Sequence, residues 1–253
     1  MLDEIENIIN NFSLTATHDI KSTTVSDIND LYHLIQQGQN NITLAAQDRE
    51  EANESDQVSE LDSKFKQLID LEARLKLQER TILLMKDRIY QGEKISNPEE
   101  YYKTLKSELM KELPATDDDK YFTNQKYISF RQHLWSINHL YDAMPSLTSN
   151  NNDDDDDIVM GPTKISLKCP LTTTWLEEPM TSSVCKHTFS KASIFALLRS
   201  NNAIECPIPG CNRYIQKQNL YSDDIMADRV RRAKAKEEYD NKLRNRGELF
   251  DVE

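Results

Sequence analysis

The sequence predicts two structural parts, long coiled-coil-like α-helices in the N-terminal half and a small zinc-stabilised α+β domain in the C-terminal half. An apolar stripe repeats at steps of three and four residues through the first half, as in amphipathic helices. Near residue 200, three cysteines and a histidine form two short metal-binding pairs. The predicted segments are a helical, partner-docking region (1–145), an acidic linker (146–163), a zinc domain (164–230) and a charged helix with a tail (231–253).

The helices of the first part are predicted from the spacing of their apolar residues. A first helix covers residues 27–47, and a second, with the clearest stripe in the chain, ends near Gly92. Pro98, a residue favoured in the first turn, begins a third helix that ends near Leu113, and Tyr121–Leu140 forms an aromatic-rich fourth. The stripe of the second helix consists of Val58, Leu61, Phe65, Leu68, Leu71, Leu75, Ile82, Met85 and Ile89.

This stripe has two interpretations. In the first, the helices pack only on each other as a bundle. In the second, the stripe docks lengthwise on the coiled coil of a partner. We favour docking, because a helix of about 45 Å is expected to be too long for its short neighbours to cover.

Asparagines at 150–152 and aspartates at 153–157 separate the two parts. Five consecutive like charges repel each other and remain solvated. This composition is typical of a linker between two modules.

Two short pairs of residues predict a single zinc ion. Cys185 and His187 form a C-x-H pair, and Cys206 and Cys211 form a C-x4-C pair. Three thiolates and an imidazole suit tetrahedral Zn2+ better than cations that prefer oxygen ligands. Because all four ligands come from the protein, the zinc is expected to be structural. The alternative is that these are unrelated buried cysteines and a core histidine.

The remaining cysteine indicates which kind of zinc domain this is. A RING finger binds two zinc ions through eight alternating ligands, and its second ligand set falls on the four residues above. Its first set falls on Cys169, Thr172, Ser190 and Ser193. Hydroxyls are poor zinc ligands but competent hydrogen-bonding groups. We therefore expect no first zinc, a hydrogen-bonded network in its place, and a buried, inert thiol at Cys169.

Several motifs resemble the SP-RING (Siz/PIAS-type) family of SUMO ligases. The domain opens with Cys169-Pro170-Leu171-Thr172, the C-x-H-x-F segment ends at Phe189, and a second loop begins at Cys206-Pro207. The resemblance extends over residues 165–229. Downstream, Asp224-Ile225-Met226 leads into a charged helix. With this helix, the sequence looks most like the SUMO ligase subunit of the chromosomal complex built on the fifth and sixth SMC proteins.

This resemblance implies a RING-like (SP-RING) fold and catalysis without a covalent intermediate on this chain. The family's domain holds a SUMO-conjugating enzyme, whose own cysteine carries SUMO, and orients the thioester for attack by a substrate lysine. The corresponding contact residues here are Leu171, Leu198, Pro207 and Ile208. We expect Phe189, Ile194 and Leu197 to be core residues. The resemblance also implies docking of the N-terminal helices on the coiled-coil arm of an SMC protein.

Two apolar segments beside acidic residues are candidates for binding SUMO by strand addition. They are Ile158–Met160 and Leu249–Val252. For the first of them, a strand leading into the zinc domain is the preferred interpretation.

Charge and composition limit the other partners. The net charge is −12, yet residues 164–246 carry 15 basic and 9 acidic side chains, so the acid excess lies in the rest of the chain. An acidic arm disfavours DNA binding by that part. Acids interleave the basic C-terminal helix, so DNA binding there is expected to be weak. The sequence has no signal peptide and no run of eighteen apolar residues, and we expect an intracellular protein; the resemblance places it in the nucleus, on chromatin.

The leading hypothesis is a SUMO-protein ligase docked on a chromosomal SMC complex that acts in DNA repair. One alternative is a ubiquitin ligase of RING or U-box type, which a two-zinc ligand set would favour. Another is a non-enzymatic scaffold whose zinc domain caps a coiled-coil arm.

Overall fold

A computed structural model describes residues 13–15, 23–148, 164–199 and 202–247 of the chain. The chain divides into two compact units, Met1–Ile128 and Ser129–Glu253, which we call the arm unit and the zinc unit. The predicted linker lies within the zinc unit, and most of it falls outside the described residues. None of the described helices combines the length and apolar character needed to cross a membrane.

The predicted helices of the first part are present. They are α1 (Thr23–Glu51), α2 (Ser55–Tyr90), α3 (Pro98–Met110) and α4 (Gln125–Asn138), with a π-helical turn at Asp118–Phe122 before α4. The boundary between the two units falls within α4.

Local sequence explains where α2 ends and α3 begins. Gly92 has a φ of +97°, a left-handed conformation that glycine adopts without strain, directly after the end of α2. Asn97 caps α3, because its Oδ1 accepts a hydrogen bond from the Glu100 backbone N–H at 3.3 Å. Pro98 occupies the first turn, where its missing N–H costs nothing.

The long helices α1 and α2 pack side by side in antiparallel order. Tyr32 donates to Glu79 at 2.8 Å and Gln39 donates to Glu72 at 3.4 Å, so residues later in α1 meet residues earlier in α2. Gly38 permits a close approach, because a Cβ there would lie 3.1 Å from Leu68 Cδ1. The expectation that neighbouring helices are too short to cover α2 is therefore wrong, since α1 has 29 residues.

The burial of the predicted stripe reflects this packing. Val58, Phe65, Met85 and Ile89 are buried inside the arm unit. Leu61, Leu68, Leu75 and Ile82 are half-buried, and Leu71 is 43% exposed. The buried residues of α2 outside the stripe are Ile69, Glu72, Leu77 and Thr81. Half-buried and exposed members thus remain accessible to a partner.

The zinc unit is built from short strands and two further helices. They are β1 (Pro179–Ser182), β2 (Thr188–Ser190), α5 (Lys191–Leu197), β3 (Ala203–Glu205), β4 (Tyr214–Gln216), β5 (Leu220–Ser222) and α6 (Asp224–Gly247). One antiparallel sheet has the order β2-β1-β5, and β3 and β4 form a separate hairpin.

Two apolar clusters stabilise this unit. The first consists of Met180, Phe189, Ile194, Leu198, Cys206, Ile215 and Leu220. The second joins α6 to the segment before β1 and consists of Leu167, Cys169, Leu176, Val230 and Ala233. Leu171 packs against both clusters. Each fully buried aliphatic side chain of this kind contributes about 1.5–3 kcal/mol.

Arg229 on α6 ties the end of α4 into the zinc unit. It is 3% exposed, and its guanidinium donates to the carbonyl oxygens of His139 and Leu140 at 2.7 Å and of Asp142 at 3.2 Å. Arg229 is therefore a buried structural residue, although it stands among the basic residues of a charged helix. The backbone of Asp142 also pairs with that of Lys164 in an antiparallel bridge.

Candidate metal centre and the adjoining surface

Two hairpins bring the four predicted ligands together. Cys185 and His187 lie in the turn between β1 and β2, while Cys206 and Cys211 lie in the loop between β3 and β4. All four ligand atoms lie within 4.8 Å of one another. Among the described residues, they form the single cluster of cysteine, histidine or acidic side chains that can hold a metal ion.

The distances fit a tetrahedral zinc. A Zn–S distance of about 2.3 Å separates two sulfurs of a tetrahedral site by about 3.8 Å. The Sγ atoms of Cys185 and Cys206 are 3.8 Å apart, and His187 Nδ1 lies 3.3 Å from Cys206 Sγ. Zinc bound here cross-links the two hairpins, and its four protein ligands leave no place for a reactive water. The prediction of one structural zinc is confirmed.

The loops that carry the ligands are tight turns. Lys186, between the first two ligands, has a φ of +59°, and its N–H donates to the Ser182 carbonyl oxygen at 2.9 Å. Gly210 has a φ of +82° immediately before Cys211, a conformation that favours glycine. A backbone hydrogen bond fixes the position of Cys206, since its N–H donates to the Arg213 carbonyl oxygen at 2.8 Å.

Protons compete with the metal at these sulfurs. Burial, together with the neighbouring thiols, raises the pKa of Cys206 to about 12. At Cys185, burial acts in the same direction, but hydrogen bonds, chiefly from the Ser182 hydroxyl, hold the pKa below its usual value. Zinc binds thiolates, so loading the site releases protons and becomes weaker at acidic pH.

Three of the four positions in the first RING ligand set take part in hydrogen bonds around Cys169. Cys169 is fully buried, and its Sγ accepts from the Ser190 backbone N–H at 3.4 Å. The Ser190 hydroxyl in turn accepts from the Glu177 N–H at 3.1 Å. The Thr172 hydroxyl lies 2.9 Å from that of Thr174 and contributes to lowering the pKa of Cys169. Ser193 is half-buried on α5, and its hydroxyl is not among the described bonds of this network.

The predicted conjugating-enzyme contacts are only partly at the surface. Pro207 is exposed and Ile208 is half-buried on the second loop, and Leu171 is half-buried on the first. The prediction that Leu198 is a contact residue is wrong, because it is 2% exposed and belongs to the core. Leu197, expected in the core, is 44% exposed, whereas Phe189 and Ile194 are fully buried as predicted.

Comparison with known proteins agrees with this geometry. Residues 156–212 match the family described as the zinc-finger of the MIZ type in Nse subunit. The E3 SUMO-protein ligase MMS21 of Arabidopsis thaliana is 26% identical over 255 residues, covering 98% of this chain and 94% of that protein. The E3 SUMO-protein ligase nse2 of Schizosaccharomyces pombe is 27% identical over 186 residues, covering 68% of this chain and 73% of that protein.

The chain is similar to ligases of the MMS21/Nse2 type. A third relative, the E3 SUMO-protein ligase MMS21 of Saccharomyces cerevisiae, is 32% identical over 82 residues, covering 32% of this chain and 31% of that protein. The matched family region contains all four zinc ligands. The resemblance inferred from the cysteine and histidine spacing is thus confirmed.

Some residues that define the surface were not found from sequence. Leu31 and Leu34 of α1 line a groove with α2. Their apolar spacing was the available signal. Arg229 had no such signal, because it stands among other basic residues of a charged helix. The candidate SUMO-binding segments Ile158–Met160 and Leu249–Val252 lie outside the described residues.

Proposed function

We propose that this chain is a SUMO-protein ligase that holds a SUMO-loaded conjugating enzyme on its zinc unit. The observation that carries the proposal is the position of Pro207 and Ile208, accessible apolar residues on a loop that the zinc ligands shape. Leu171 supplies a half-buried apolar neighbour on the first loop. The names of the three relatives support SUMO as the modifier.

The proposed mechanism is positioning. Three cysteines are zinc ligands and Cys169 is fully buried, so none of the four presents an accessible thiol to carry SUMO. The conjugating enzyme's cysteine therefore carries the thioester throughout. Restraining that enzyme and its SUMO near a substrate lysine lowers the entropic cost of reaching the reactive geometry.

The proposal includes docking of the arm unit on a coiled-coil arm of a chromosomal SMC protein. A groove of about 450 Å3 runs between α1 and α2, and we call it the arm groove. Its apolar lining consists of Leu31, Leu34, Ile35, Leu68, Leu71 and Leu75. Three of these leucines are more than two-fifths exposed, namely Leu31 (46%), Leu34 (60%) and Leu71 (43%).

This groove supports docking of a helix rather than a small molecule. It is a shallow strip whose leucines recur at helical spacing on both walls, which suits a partner helix inserting its own apolar residues. Arg74 and Gln78 lie beside it and suit an acidic or amide residue flanking the partner's apolar stripe. Residence in the nucleus and a role in DNA repair belong to this same proposal.

Transfer assays with purified components test the ligase function. Pro207→Ala is expected to lower SUMO transfer strongly while leaving zinc content unchanged, because it removes an exposed contact and no core residue. Truncating an interface anchor typically costs about 2 kcal/mol, or roughly thirtyfold in binding. Tyr239→Ala is the matched control, since Tyr239 is 62% exposed on α6. Transfer of ubiquitin by a ubiquitin-conjugating enzyme, and not of SUMO, would overturn the proposal.

A second comparison separates positioning from covalent relay. Leu171→Ala is expected to lower transfer, and Cys169→Ser is expected to be far milder. Leu171 also packs against both core clusters, so zinc content and thermal stability must be measured for each variant. Loss of transfer in a folded Cys169→Ser protein, with Leu171→Ala active, would favour a relay through Cys169.

A further inference from the structure

A concave cleft of about 770 Å3 lies on the zinc unit beside the proposed enzyme-binding loops. One side of it is the sheet, where Thr181 pairs across the strands with Thr188 and with Tyr221. The segment at residues 164–170 and the first turn of α6 form other sides. Ile208, a proposed conjugating-enzyme contact, also lines the cleft, so the two surfaces adjoin.

The cleft carries an excess of positive charge. Lys164, Lys168 and Lys186 line it, and all three are exposed. Within the described part of the chain, none of the three forms an ion pair; Lys186 lies 6.0 Å from the centroid of the Tyr221 ring. We call this site the lysine cleft.

Among the described residues, the one acid that lines the lysine cleft is already engaged in hydrogen bonds. Asp223 accepts from the Thr181 hydroxyl at 2.7 Å and from the Met226 N–H at 2.9 Å. Arg229, also in the lining, is committed to the backbone carbonyl oxygens at the end of α4. The three lysines are therefore left to attract an anionic ligand.

Apolar side chains also contribute to the lining of the lysine cleft. Ile165, Pro170, Ile208 and Met226 contribute to it. A ligand that fills a concave site of this kind must bury apolar groups as well as present carboxylates. Duplex DNA fits less well, because its phosphates lie on a wide convex surface and offer no apolar group to this lining.

We propose that the lysine cleft binds an acidic, partly apolar segment of the protein that receives SUMO. This inference rests on the proposed ligase function. Holding such a segment beside the loaded conjugating enzyme raises the local concentration of nearby lysines. Substrate lysines close to acidic stretches are then modified in preference to lysines in neutral surroundings.

The test combines a binding assay with a transfer assay on the full chain loaded with zinc. The binding probe is a short labelled peptide in which aspartates alternate with isoleucine and valine. The transfer assay compares two acceptor peptides that carry one lysine each, flanked by that acidic sequence or by a neutral one. The variant is Lys164→Glu with Lys168→Glu, which leaves the zinc ligands untouched, and Lys186→Gln is a second variant. Lys217→Glu, an exposed lysine outside the cleft, is the matched control.

We expect the charge reversals to weaken peptide binding about tenfold or more, and Lys217→Glu to have little effect. KM for the acidic acceptor should rise by a similar factor, while transfer to the neutral acceptor stays within about twofold. Equal binding by the variant and the unaltered chain would overturn the proposal. So would tighter binding of duplex DNA that displaces the peptide.

Other outcomes are also decisive. If charge reversal has an effect only after Asp153–Asp157 are replaced by asparagine, the cleft is assigned to the chain's own acidic segment and the proposal fails. Absence of transfer to both acceptors by the unaltered chain would count against the ligase function. The binding assay needs no transfer, so the two failures are distinguishable.

Discussion

At Cys169, burial and hydrogen bonding act in opposite directions. Burial raises the pKa of a thiol, because it penalises the thiolate. Hydrogen bonds from the Ser190 N–H, the Ser190 hydroxyl and the loop after Cys169 favour the thiolate more strongly, and the pKa falls from 9.0 to about 7. The thiol is thus buried as expected but ionises more readily than an ordinary cysteine.

This shift predicts a pH-dependent stability of the zinc unit. The folded-state pKa lies below the unfolded one, so the unfolded chain binds more protons between about pH 7 and pH 9. Stability from Cys169 is therefore fully present above pH 9 and is lost as pH falls through 7. It amounts to about 2–3 kcal/mol.

Denaturant unfolding of the zinc-saturated chain and of Cys169→Ser at several pH values checks this prediction. A serine hydroxyl does not ionise in this range, so the difference between the two proteins should grow from pH 6 to pH 9. The pH dependence of zinc binding is common to both and cancels in that difference. A constant difference would show that Cys169 remains a neutral thiol.

Removing one zinc ligand should affect the zinc unit alone. We expect His187→Ala to lower zinc content from one per chain to none, and to unfold that unit while the arm unit remains helical, because structural zinc contributes folding free energy directly. His33→Ala, an exposed histidine of α1, is the control. Elemental analysis and circular dichroism provide the measurements. Two zinc ions in the unaltered chain, or none, would contradict the assignment.

Residues differ in how far the sequence determines their place. The zinc ligands were predictable because each pair is separated by only one or four residues and must converge by local turns. The burial of Leu197 and Leu198 was predicted the wrong way round. Because α5 has only seven residues, its few apolar positions do not define which face of the helix is buried. Arg229 forms contacts about 90 residues away, which no local pattern encodes.

At the scale of elements, the arm groove depends on two helices rather than on one stripe. We expect Leu71→Glu to weaken binding of a purified SMC coiled-coil arm fragment by roughly thirtyfold or more. Helicity should be unchanged, since Leu71 is 43% exposed. Pull-down or calorimetric titration measures binding, and circular dichroism measures helicity.

The matched control for the arm groove is Leu44→Glu. Leu44 is 61% exposed on α1 and does not line the groove. Equal loss of binding in the two variants would indicate a general effect of added negative charge. Undiminished binding by Leu71→Glu would place the partner on another surface.

The sequence predicted the existence of α1 and α2 but not how they cover each other. The contact face of α1 contains Gly38, Gln39 and Gln47, which interrupt any apolar stripe. On α2, Glu72 is buried, and hydrogen bonds from Lys126 and Lys76 keep its pKa below the usual value although burial opposes this. Because polar residues occupy some of the buried positions, the spacing of apolar residues does not reveal how the two helices pack.

For the whole molecule, the end of α4 and residues 139–142 contribute to the zinc unit. A fragment that starts at Lys164 lacks the three carbonyl oxygens that satisfy Arg229. Leaving a buried cation without its hydrogen bonds costs several kcal/mol. We therefore expect a fragment of residues 125–253 to be more stable than one of residues 164–253, by about 3 kcal/mol or more.

Denaturant unfolding of the two zinc-loaded fragments checks this expectation. The control variant is Arg229→Met in the longer fragment. It replaces the guanidinium with an apolar side chain of similar length, so it leaves no buried cation that needs hydrogen bonds. Equal stability of the two fragments would mean that Arg229 finds other partners or water once residues 125–163 are removed.

The bridge between Asp142 and Lys164 has a consequence for how this chain can change in evolution. The backbone enters and leaves the intervening stretch at neighbouring points, since the Ile165 N–H donates to the Tyr141 carbonyl oxygen at 2.6 Å. The cost of closing such a stretch grows only with the logarithm of its length, by about 0.6 kcal/mol for each doubling. We therefore expect insertions and deletions between these two anchors to change the stability of the zinc unit by only about 1 kcal/mol or less, provided that both anchors are kept.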